Sequence, residues 1–159
     1  MIFRKRHIAL RAVTASSKRG ARSAVRAAPG ERGKRLWAKA QVASQSARFL
    51  IESGDTDGAV NRAYYAVFGG ARAALAAVRS RLALSKRHGT IFRRFDKHLV
   101  EGRGFDPSLG RAFLSQQRGA RQAADYEGGR VDEAVARKMI GDMQRFLAAV
   151  EPFLQELKR

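Results

Sequence analysis

The chain has no cysteine, so neither disulfides nor thiolate-bound zinc can hold it together, and nothing in it asks for an oxidising compartment. Long apolar runs are missing too. Arg or Lys interrupts every hydrophobic stretch well short of the roughly 18 to 20 residues that span a bilayer, so no membrane segment is expected and the cytoplasm is the expected location. Strand-like alternation of apolar and polar residues is absent. Acidic residues are scarce: 14 Asp and Glu stand against 32 Lys and Arg, for a formal net charge of +18. Such a surface concentrates partners that carry phosphate or carboxylate.

The positive charge is uneven. Residues 1–35 hold eleven Lys or Arg against the single acid Glu31, leaving +8 to residues 36–159. Residues 1–34 carry few large apolar side chains and cannot offset the entropy of ordering, so a basic, disordered extension is expected there. Its composition suits a nonspecific overhang, an Arg- and Ser-rich transit peptide or a basic arm that grips nucleic acid. Residues 35–159 have the length of one folded domain.

From Leu36 the apolar residues follow a helical period through Ala40, Ala43, Ala47, Leu50 and Ile51. Gly54 suits a left-handed cap, and Asp55 or Asp57 can cap the next helix. That helix has the clearest apolar face, Val60, Tyr64, Val67, Phe68, Ala71, Ala74, Leu75 and Val78. Gly69 and Gly70 inside it each cost roughly 1 kcal/mol relative to Ala, which predicts a tight helix crossing at that level. A third helix carries Ile91, Phe92, Phe95 and Leu99. Asp106-Pro107 predicts the start of a fourth, burying Leu109, Ala112, Phe113 and Ala120 and running to Tyr126. A last helix starts near Asp132, and Pro152 should kink or fray its end. The expectation is an all-α fold, an up-and-down antiparallel bundle of about five helices.

On the fourth helix Gln117, Arg121 and Asp125 are spaced by four, with Arg118 alongside, so they share one polar face. Alone, this is a solvated stripe with an ordinary ion pair. Asn61, Tyr65, Gly69 and Arg72 form a second strip on the second helix. Should both strips face one groove, Asn61, Tyr65, Arg118, Arg121, Asp125 and Tyr126 form a polar cluster with Arg donors for phosphate. His88 reads as a loop histidine able to meet phosphate, and His98 as a packing residue at a helix boundary. No histidine has a partner at metal-ligand spacing, and Gly102-x-Gly104 and Gly128-Gly129 lack the Lys-Ser/Thr ending of a phosphate loop. No metal or cofactor is called for.

Three segments in order, AVNRAYYAVFGGARAAL, SKRHGTIFRRFDKHLVEG and RQAADY, together resemble the HEPN domain, in its small stand-alone branch of toxin–antitoxin type that often sits beside a minimal nucleotidyltransferase. The resemblance covers about residues 35–155. It implies a homodimeric helical bundle whose active members cut RNA without metal, using an Arg followed by four to six residues and a His. Carried over, the Arg is Arg121, and the His position falls near Tyr126, where the chain departs from the pattern. An unperturbed phenol has a pKa near 10 and is a poor base at neutral pH. Two readings stay open. In one, the protein is a toxin-like ribonuclease with Arg121, Tyr126 and Asp125 as catalytic residues and Asn61, Tyr65, Arg118 and Gln117 binding substrate. In the other, the same cleft binds RNA, a nucleotide or a nucleotidyltransferase partner without chemistry.

Overall fold

A computed structural model describes residues 29–126 and 129–156, the side chains of Pro29, Tyr126 and Glu156 excepted. Among the described residues every regular element is helical, and the fold is an all-α bundle of five principal helices. Most of the basic extension lies outside the described residues.

Helix α1 spans Pro29–Glu52 and starts seven residues ahead of Leu36, so the last residues of the stretch expected to be disordered are helical. It closes as the sequence predicts. Gly54 adopts φ 83°, Gly54 N–H donates to the Ile51 carbonyl at 3.1 Å and Asp55 N–H to the Leu50 carbonyl at 2.9 Å. This paired closure needs a left-handed residue at Gly54. Asp55 then caps α2, Thr56–Val78, accepting from Gly58 N–H at 2.8 Å. The other candidate cap, Asp57, accepts from Val131 N–H at 2.7 Å and pins the loop ahead of the last helix.

Helix α2 is the axis of the bundle and packs against every other helix. The apolar face read from the sequence is buried apart from Val78, which is partly so, and Ala59, Ala63, Ala66, Ala73 and Ala76 around it are buried too. Small side chains let neighbours close in from several sides, which makes α2 a helix buried nearly all round. The two glycines serve two crossings. A Cβ on Gly69 would lie 3.1 Å from Ala40 Cβ of α1, and one on Gly70 would lie 2.9 Å from Leu147 Cδ2 of the last helix.

A 3-10 turn, Ser80–Leu84, which the sequence reading did not foresee, precedes α3. Helix α3 opens as His88–Phe95, widens into a π turn over Asp96–Val100 and ends with Glu101–Arg103, closed by Gly104 at φ 68°. The expected start of α4 at Asp106-Pro107 is corrected. Asp106 does cap, accepting from Ser108 N–H at 2.8 Å, but the turn it opens is a 3-10 turn, Pro107–Leu109, broken by extended backbone at Gly110. Helix α4 proper is Arg111–Tyr126, and its first N–H donates to Asp96 Oδ1 at 3.0 Å. The cap comes from α3, fifteen residues away in sequence.

The inward face of α4 also differs from expectation. Leu109 and Phe113 are buried and Ala120 is partly so, but Ala112 is exposed, and Leu114 and Gln117 take inner positions. Helix α5 spans Glu133–Glu156, capped by Asp132, which accepts from Ala134 N–H at 2.8 Å and Val135 N–H at 3.3 Å. Pro152 does not end it. The carbonyl deprived of its donor belongs to Ala148, an exposed residue where water can replace the lost bond.

Phenylalanines knit α3, α4 and α5 together. Phe95 meets Phe105 edge-on with centroids 5.1 Å apart, and Phe113 stacks on Phe146 at 5.6 Å. Burying each such ring contributes about 1.5 to 3 kcal/mol. No described helix is long and apolar enough to cross a membrane.

Candidate functional site

Helices α2 and α4 run antiparallel and bring their polar strips together, with Asn61 opposite Asp125 and Tyr65 opposite Arg121. Asn61 Nδ2 donates to Asp125 Oδ1 at 3.2 Å. Arg121 reaches Asp125 Oδ2 at 2.6 Å, with the two side chains 25% and 26% exposed. The Arg121 guanidinium carbon stands 5.7 Å from the centre of the Tyr65 ring, within cation–π range, and Tyr65 is 41% exposed. Arg121 Nε is buried and has no hydrogen-bond partner among the described residues. The guanidinium is therefore held on a ring and a carboxylate rather than loose in solvent.

The other expected site residues divide. Arg118, exposed, lies one turn away on α4. Gln117 does not join the cluster: it is 1% exposed, and its Nε2 donates to Asp142 Oδ2 of α5 at 3.2 Å. Asp142 also receives Lys138 and Arg145, so Gln117 sits under a charged clasp between α4 and α5. The Tyr126 side chain lies outside the described residues. Of the second strip, Gly69 serves the α1 crossing. Arg72 donates from Nε and from a terminal nitrogen to the Ala83 carbonyl at 3.2 and 2.9 Å, with its guanidinium over Phe68.

Two residues enter the site that the sequence reading placed elsewhere. Tyr64, assigned to the core stripe, is 1% exposed, yet its hydroxyl contacts His88 Nδ1. His88 is the first residue of α3. Its ring stacks on Phe68 with centroids 4.3 Å apart and on Tyr64 at 5.5 Å, and meets Phe92 edge-on at 6.4 Å. The signal in the sequence was faint. Only the position of His88 after Lys86-Arg87, in what reads as a turn, hinted at a contact with phosphate.

The electrostatics follow from this packing. Burial pushes the Tyr64 hydroxyl above its ordinary pKa, against the opposing pull of Arg118 and Arg121, so it stays protonated. Burial first, then the charges of Arg118, Arg121 and Arg72, hold the His88 imidazole below its usual value of 6.5. His88 is thus uncharged at neutral pH. The site joins a fixed guanidinium, a second arginine, an exposed aromatic face and a neutral imidazole. Such a set can bind a phosphodiester, stack a base and take up a proton. Among the described residues no three His, Asp or Glu side chains come together as metal ligands would.

Comparison with the curated proteins finds no match. The family model described as HEPN domain matches residues 34–153, which spans all five helices from within α1 to the last turns of α5, and the chain belongs to the HEPN family.

Proposed function

We propose that this HEPN chain is a toxin-like ribonuclease that needs no metal, gripping RNA phosphates with Arg121 and Arg118 in a cleft completed by a second copy of the chain. The setting of Arg121 supports this reading. Its fork is oriented by Asp125 and by the Tyr65 ring, and a guanidinium so held can stabilise charge on the non-bridging phosphate oxygens as it develops. Tyr65 offers a face on which a base can stack, and Asn61, through Asp125, keeps the arginine in register. Gln117 acts further back, fixing α4 to α5.

The test uses the purified full chain and a single-stranded RNA in EDTA. Cleavage that leaves cyclic phosphate ends and vanishes in Arg121→Ala is the expected outcome. Cleavage that survives in that variant would belong to a contaminant. A second reading draws support from Tyr126, which stands where active members of the family carry histidine. Under it the chain binds RNA, a nucleotide or a nucleotidyltransferase partner and cuts nothing. Tight, salt-sensitive RNA binding with no product under any condition would select that reading.

A further inference from the structure

We propose that His88 is the catalytic proton acceptor of this cleft, oriented by Tyr64, and that it supplies from α3 the imidazole that the end of α4 lacks. The inference rests on the ribonuclease reading above and deepens it. Three observations carry it. The imidazole is wedged against Phe68, Tyr64 and Phe92, so its plane is set. Its Nδ1 is engaged by the Tyr64 hydroxyl, so the nitrogen left for a substrate is Nε2. Tyr64 is followed directly by Tyr65, whose ring lies beneath Arg121, and the charges of Arg118 and Arg121 act on both Tyr64 and His88. The proton acceptor and the phosphate clamp thus flank one short stretch of α2.

The chemistry balances without a co-reactant. In the Nδ1–H tautomer, whose proton Tyr64 Oη accepts, His88 has a free lone pair on Nε2. The 2′-hydroxyl oxygen attacks the adjacent phosphorus and gives its proton to Nε2. The O2′–P bond forms and the P–O5′ bond breaks, leaving a 2′,3′-cyclic phosphate. The departing 5′-oxygen takes the proton back from the imidazolium, and the ring returns to its starting state. Arg121 and Arg118 carry the charge on the phosphoryl oxygens, while Arg72 of α2, braced on Ala83, lies over the Phe68 ring on which His88 stacks, and Lys86 and Arg87 precede His88 in the chain. Burial first, and then the charges of Arg118, Arg121 and Arg72, keep the free imidazole neutral near pH 7, the form a base must have.

The experiment follows kcat and KM of the full chain on a fluorescent single-stranded RNA in EDTA, across pH, beside RNA affinity and thermal melting. His88→Asn is expected to lower kcat by about 10² to 10⁴-fold, the usual contribution of a general base, with RNA affinity within about twofold. Tyr64→Phe is expected to lower kcat and leave KM in place. For the wild type, log(kcat/KM) rises with unit slope on the acid side and levels off below about pH 6.5, because the lowered pKa leaves the ring protonated only in acid. Added imidazole should restore part of the rate to His88→Ala. Wild-type rates in a folded His88→Asn, with Arg121→Ala inactive, overturn this inference and leave the ribonuclease reading intact. A wild-type profile whose acid limb levels off only above about pH 6.5 overturns it whether or not the variants fold. Absence of any cleavage by the wild type removes the ribonuclease reading and this inference together.

Discussion

Gly110 has no room for a side chain. A Cβ there would come 2.7 Å from Asp96 Oδ1 and 3.1 Å from the Pro107 carbonyl, and Asp96 is the cap of α4. Gly110→Ala should therefore displace the carboxylate and cost about 1 to 2 kcal/mol, the scale of a lost N-cap. Gly119, on the same helix, meets nothing within 4 Å, so Gly119→Ala should stabilise by up to about 1 kcal/mol through helix propensity. Urea denaturation of the two variants should give opposite signs, and equal signs would sink the capping account. Single residues also explain what the sequence misled on. A spacing of four advances about 40° around a helix with 3.6 residues per turn, so Gln117, Arg121 and Asp125 do not stay on one line. Gln117 falls into the core, while Arg121 and Asp125 stay at the surface beside α2, about a quarter exposed. The polar stripe was legible, but the depth of each member was not.

At the level of elements, local chemistry and distant contacts separate cleanly. Asp55, Gly54 and Asp132 act through neighbours a few residues away, and the helix ends they mark were readable from their residue types. The 3-10 turn Ser80–Leu84 depends instead on Arg72 of α2, which binds the Ala83 carbonyl, and on Arg94 of α3, which donates to the Leu82 carbonyl at 2.8 Å. No local pattern announces such a brace, just as none announces that α4 is capped from α3. Arg72→Met keeps the aliphatic stem and removes both bonds to Ala83, which should cost about 1 to 2 kcal/mol. The same change removes one of the charges that depress His88, so the imidazole pKa should rise toward 6.5 in the variant. An NMR titration of His88 checks the direction, and a fall would contradict the placement of Arg72 beside the ring.

Over the whole molecule the positive charge decides how partners arrive. A formal charge of +18 attracts polyanions from a distance and does so less well as salt rises, and RNA is the proposed one. For a single strand, log K against log salt should fall with a slope of about −0.7 for each phosphate neutralised. Arg121→Ala and Arg118→Ala should each make that slope shallower by about 0.7 if both touch phosphate. A variant with weaker binding but an unchanged slope would place its arginine away from the backbone of the RNA. Sedimentation of the full chain tests the second copy that the proposed cleft requires.

The groups around His88 touch it from α2 and α3 and act on it through charge from α4, and the proposed division of labour reaches past the one molecule. A scan that looks for an arginine and a histidine a fixed few positions apart would file this chain among the inert. A scan that asks for a tyrosine midway along one helix, an imidazole opening the next and a guanidinium late in the one after would retrieve it, and would sort its kin by assembled geometry instead of by a contiguous signature.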